Sequence, residues 1–260
     1  MTVGALATGC LDRPLAPAAP HTSNIFVDQI KQTAIDKIDL LFMIDNSISM
    51  ADKQAILAKA VPGLLQRLIN PVCVSTSNPA LSQPGPGPTA PCPDGYKKEF
   101  SPINDIHIGV ISSSLGSHGG QYCDEKVEVQ IPMPPHLNPM LNDRAYLLGK
   151  VRPGLYSFNN TGFLAWEPSD TTLSAHERDS ATMSNDFTSM VTSAGETGCG
   201  YEAQLEAWYR FLVEPFPPQS VTLNTMTNQA ELSTCTETDK SGCDNELLAQ
   251  RASFLRVDSL

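Results

Sequence analysis

No apolar run in the 260-residue sequence reaches the roughly 18 residues that a membrane-spanning helix needs. Basic clusters are missing as well. Asp and Glu number 28 against 17 Lys and Arg, a formal net charge of −11, which argues against a nucleic-acid or anionic-membrane surface as the main function. The cysteines form no CxxC pair and have no histidine at zinc-ligand spacing, so a zinc centre is disfavoured. The GxSxG elbow, the P-loop lysine and GxGxxG are absent, and His176-Glu177 is not completed into a zinc-protease motif. The histidines, His21, His107, His118, His136 and His176, are scattered along the chain.

What is present is enough chain to bury a sizeable core, in one domain or two small ones. Its 21 prolines are clustered, and the segments 79–93 and 131–139 cannot be regular helix or central strand. They read as parts of two insertions, at about 71–104 and 115–160, on a folded body covering 34–260.

Within that body, Ile38–Ile44 is an apolar run without alternation, as expected of a strand covered on both faces of a parallel sheet. Residues 52–69 follow as a helix. One apolar row is Ile56, Ala60, Leu64 and Leu68, and Leu57, Val61, Leu65 and Ile69 lie beside it. Pro62 predicts a kink. A second strand is expected at 105–114, a short helix at 142–149, a third strand at 161–168 and a helix at 185–194. After 195-GETGCG-200 an amphipathic helix should bury Tyr201, Leu205, Trp208 and Leu212, with Trp166 and Tyr209 also in packing positions. A short helix near 244–251 precedes 254-FLRVDSL-260, which has the look of an approach to another strand. This order predicts an α/β fold: a doubly wound, mostly parallel sheet with helices on both faces.

The chemistry is concentrated in 45-DNSIS-49. Ligands of open α/β sheets bind beyond the carboxyl ends of the strands, where Asp45, Ser47 and Ser49 stand at alternate positions. One carboxylate and two hydroxyls are hard oxygen ligands, suited to Mg²⁺, with Mn²⁺ or Ca²⁺ as alternatives. A plainer explanation is that one of them caps the helix that follows, although a cap needs one such residue and three recur here.

Strand-Asp45-x-Ser47-x-Ser49-helix resembles the DxSxS motif of von Willebrand factor A-type (VWA) domains, which forms a metal-ion-dependent adhesion site. The strand at 106–114, the short strand after it and 197-TGCGYEAQLEA-207 fall in the order of that family, so the resemblance covers about 36–260. It implies that Thr197 joins Asp45, Ser47 and Ser49 in holding the ion, directly or through water. A protein partner's carboxylate would then take an open position. It also implies a further Asp after a fourth strand, which lies beyond Leu260, so the C-terminal strands are expected to be missing here.

The opening MTVGALATGC resembles the end of a bacterial lipoprotein signal, with residues 1–9 as its remnant, Cys10 as the lipidated residue and 10–33 as a Pro/Ala-rich tether. The location implied is the bacterial cell envelope, lipid-anchored in the outer membrane, with membrane contact only through Cys10. Setting Cys10 aside leaves Cys73, Cys92, Cys123, Cys199, Cys235 and Cys243, an even set fitting an oxidising compartment. Spacing pairs Cys73 with Cys92 and Cys235 with Cys243, which leaves Cys123 for Cys199.

The function expected is therefore a non-catalytic binding or adhesion module. One alternative is a structural VWA-fold lipoprotein with a degenerate or incomplete metal site. A weaker one is a haloacid-dehalogenase-like phosphatase, whose DxD motif also ends a buried strand. Ser47, standing at the second carboxylate's place, cannot serve as the acid/base there.

Overall fold

The computed structural model describes residues 37–116, 123, 141–198 and 200–259. Contacts divide the chain into Met1–Thr33 and Ala34–Leu260, and all described residues belong to the second unit. The expected signal remnant, the tether, Cys10, Cys199 and half of the 115–160 insertion lie outside the described residues.

The architecture is mixed α/β. β1 (Lys37–Ile44) leads through a 3-10 turn (Ile48–Met50) into α1 (Ala51–Ile69). β2 (Cys73–Ser75), β3 (Ser82–Gln83) and β4 (Tyr96–Lys98) form a small antiparallel sheet in the order β3-β2-β4, inside the first Pro-rich insertion. β5 (Asp105–Ser112), α2 (Leu148–Val151), β6 (Leu164–Trp166), α3 (Ala175–Arg178) and α4 (Ser180–Thr192) come next. α5 (Gln204–Leu212), the hairpin β7 (Val221–Asn224) and β8 (Gln229–Leu232), and α6 (Asn245–Phe254) follow.

The main sheet has the order β1-β5-β6. β1 and β5 run parallel in a register of Lys37 with Asp105 through Ile44 with Ser112, whereas β6 pairs antiparallel with β5. One pairing of each kind makes this a mixed sheet rather than a mostly parallel one, with the antiparallel strand at an edge, where α/β sheets tolerate it. β1 forms the other edge. Ser113 N–H donates to the Ile44 carbonyl at 3.0 Å, so the even-numbered residues of β1 turn their backbone groups to β5. Those of Leu41 and Met43 face outward, and among the described residues no strand pairs with them.

Period-two alternation explains the two cores. Ile38, Leu40, Phe42 and Ile44 of β1 with Ile106, Ile108 and Val110 of β5 pack on one face under α1 and α4, against Val61, Leu65, Met183 and Phe187. Leu41, Met43 and Ile111 face the other way, toward Ala207 and Phe211 of α5 and Leu247 and Phe254 of α6. Fully burying each such side chain is worth about 1.5–3 kcal/mol.

Two expected helix faces differ. In α1 the row Val61, Leu65 and Ile69 is buried while Ile56 and Leu64 are exposed, and the helix runs unbroken through Pro62. Of the expected buried face at α5, Leu205 is 87% and Tyr201, just before the helix, 62% exposed, and Trp208 is exposed, as is Tyr209, while Leu212 packs partly buried against the core. Ala207 and Phe211 are buried instead, so the small Ala207 lets α5 lie close to the sheet. The expected helix at 142–149 is reduced to the single turn of α2.

Disulfides Cys73–Cys92 and Cys235–Cys243 are both formed, and Cys123 is buried and disulfide-bonded. No helix among the described residues is long and apolar enough to cross a membrane.

Candidate metal site

The alternation of β1 continues past its last paired residue. Asn46 turns inward and is fully buried, with Oδ1 accepting from the Ser113 hydroxyl at 3.1 Å and the Ser114 hydroxyl at 2.9 Å. Asp45 and Ser47 stay part-exposed and Ser49 is exposed. The buried asparagine thus anchors the loop to the end of β5 and leaves the odd-numbered oxygens outside.

Those oxygens do not cap the helix. Neither Ser47, before the 3-10 turn, nor Met50, before α1, makes a side-chain cap bond. The Ser47 and Ser49 hydroxyls instead lie 3.2 Å apart. Asp45 Oδ1 accepts from the Ser47 backbone N–H at 2.9 Å, and Oδ2 accepts from Gln204 Nε2 at 2.7 Å. Partial burial pushes the Asp45 carboxyl up, but the Ser47 N–H, the Ser47 hydroxyl and the Gln204 amide outweigh it and hold it below its ordinary value. It is therefore a carboxylate at neutral pH.

The loop carrying Thr197 is fastened to the same place. Gly198 N–H donates to the Asn46 carbonyl at 2.8 Å, and a Cβ on Gly198 would meet Asn46 Oδ1 at 2.7 Å, so only glycine permits this approach. On the other side of Thr197, one amide of α1 makes two bonds: Gln54 Nε2 donates to the carbonyls of Asp45 and Gly195, each at 2.8 Å. Strand end and loop are stapled together on both sides of Thr197.

The chain matches no protein-family model, no curated protein and no solved structure.

The donor set fits a hard divalent cation of modest charge demand: one carboxylate, two adjacent hydroxyls and the Thr197 loop beside them. Among the described residues no group of three or more His, Cys, Asp or Glu side chains is placed to hold a metal ion. Asn46, Gln54, Gln204 and Ser113 had no place in the sequence-level motif. The signal for Asn46 was its position between two outward-facing residues. Gln54 stood out only as a polar residue in an otherwise apolar stripe of α1.

Gln54→Ala would leave the carbonyls of Asp45 and Gly195 without their donor. The expected cost is about 1–3 kcal/mol, seen as a lower urea midpoint at unchanged m-value.

Proposed function

We propose that this chain is a VWA-type binding module whose Asp45, Ser47, Ser49 and Thr197 hold a divalent cation, Mg²⁺ or Mn²⁺, against a carboxylate of a protein partner. The observation that carries the reading is the pair of uncapped, outward-facing hydroxyls beside an ionised Asp45. Helix capping, the plainer use for these residues, is not made. When bound, the cation would supply residual positive charge and an exchangeable water position, which together attract a carboxylate. Asp45 offers the negative charge, the serines offer neutral oxygens, and Gln54 keeps the Thr197 loop within the same cluster.

The layering supports the family reading too. Helices lie on both sides of the β1–β5 pair, and the outer edge of β1, which no strand among the described residues pairs, is where a further strand would extend the sheet. The two disulfides fit an oxidising envelope compartment, consistent with anchoring through Cys10. Ser47 stands where a haloacid-dehalogenase-like phosphatase would need its second carboxylate and cannot act as acid/base, which favours binding over turnover.

The test is calorimetric titration with Mg²⁺ and Mn²⁺ of the unmodified chain and of Asp45→Ala. Binding heat is expected from the first and not from the second. A silent unmodified chain would leave the structural, metal-free reading in its place.

A further inference from the structure

Asp45 is gripped from two sides by elements far apart in the sequence. Ser47 N–H, in the loop after β1, binds Oδ1, and Gln204 Nε2, from the first residue of α5, binds Oδ2. The turn of the loop needs only the first of these bonds. The second comes from a helix start that is itself fixed: Ala203 N–H donates to the Ser113 carbonyl at 2.9 Å, and Ala207 and Phe211 are buried against the sheet. With donors on both of its oxygens, the carboxylate cannot rotate freely. The residue type matters as well. Glu, an ordinary choice for a first helical turn, would set two carboxylates against each other here, whereas an amide supplies the donor.

We infer that Gln204 is the positioning residue of the cation site, orienting Asp45 toward the Ser47 and Ser49 hydroxyls. The inference rests on the cation-binding reading. Hydrogen-bond partners of metal-binding carboxylates set ligand orientation, and losing one costs about 10–100-fold in metal affinity. Gln204 is itself only part-buried, so its replacement should not unfold the chain.

The experiment is Mg²⁺ titration calorimetry on the whole chain, unmodified and as Gln204→Met and Gln204→Ala, with a thermal melt of each in a chelator. Methionine keeps the length and apolar stem of glutamine but removes the donor. Both variants are expected to bind Mg²⁺ about 10–100-fold more weakly, with cation-free melting little changed. A role confined to holding α5 in place would do the reverse, lowering the melting temperature and sparing affinity. Unchanged affinity in both variants overturns the inference and leaves the cation site standing. Loss of a cooperative melt in both makes Gln204 a structural residue and also overturns it. A silent unmodified chain removes the cation reading, and this inference with it.

Discussion

Replacing Arg152 with alanine is expected to cost the folded state about 3–5 kcal/mol. Its guanidinium meets Asp143 in a two-pronged pair, Nη1 to Oδ1 at 2.5 Å and Nη2 to Oδ2 at 2.7 Å, with the two side chains 5% and 1% exposed. The Ser112 hydroxyl also donates to Asp143, and Asp143 N–H donates to the Ser114 carbonyl at 2.8 Å. Alanine would leave the carboxylate buried without its countercharge, and that penalty dominates the loss. The pair also borders the segment that leads to the Thr197 loop. Arg152 Nε donates to the Ser193 carbonyl at 3.1 Å, next to the C-terminus of α4 and two residues before Gly195. Urea denaturation is the measurement. The double substitution Asp143→Leu with Arg152→Met should be much milder than Arg152→Ala alone, because no unpaired charge remains. A single-variant loss below about 1 kcal/mol would mean the pair is solvated and the reasoning wrong.

The parts legible in the sequence were those with strong local determinants. β1 and β5 declared themselves through apolar runs dense in Ile, Leu and Val, and 45-DNSIS-49 through alternation at a strand end. The spacings of Cys73–Cys92 and Cys235–Cys243 sufficed because short loops leave few geometric choices. What failed was the choice between neighbouring helix faces. In α5 the row through Leu205 and Trp208 and the row through Ala207 and Phe211 both have helical spacing, and size favoured the wrong one. Burial there follows how closely the helix can approach the sheet, which rewards a small residue and is invisible to periodicity. Gln54 and Gln204 were illegible for a different reason. Gln54 meets the Gly195 carbonyl and Gln204 meets Asp45 across a long stretch of chain, and neither helix shows from its own sequence which distant group it will meet. The same holds for the end of the chain. The segment 254-FLRVDSL-260, read as an approach to another strand, begins with the last residue of α6. Its next residues clamp the start of the sheet: Arg256 N–H and Nε donate to the two Asp39 oxygens, each at 2.8 Å, and Lys37 Nζ donates to Asp258 at 2.7 Å.

Phe254→Ala is the second large loss expected, about 3–5 kcal/mol. Phe254 is fully buried and meets Phe163 and Phe211 edge-on, at ring-centre distances of 5.6 and 5.9 Å. Beneath it β5 carries Gly109, where a Cβ would approach the Phe254 ring to 3.1 Å and Leu147 Cδ2 to 2.8 Å. The ring therefore fills space that the strand itself leaves empty at Gly109. A cavity so placed cannot collapse without moving α6, whose end is tied to the sheet by His107 Nδ1–H donating to the Phe254 carbonyl at 2.9 Å and by the Arg256 clamp. Since collapse is what lowers the cost of large-to-small substitutions, the loss belongs at the upper part of the range. In a thermal melt it should appear as a fall of roughly 6–20 °C for a domain of this size. Phe254→Leu, which keeps most of the volume, should cost clearly less. If both variants lose stability equally, the ring's edge contacts rather than its volume hold α6 to the sheet. If neither does, α6 is not part of the cooperative core.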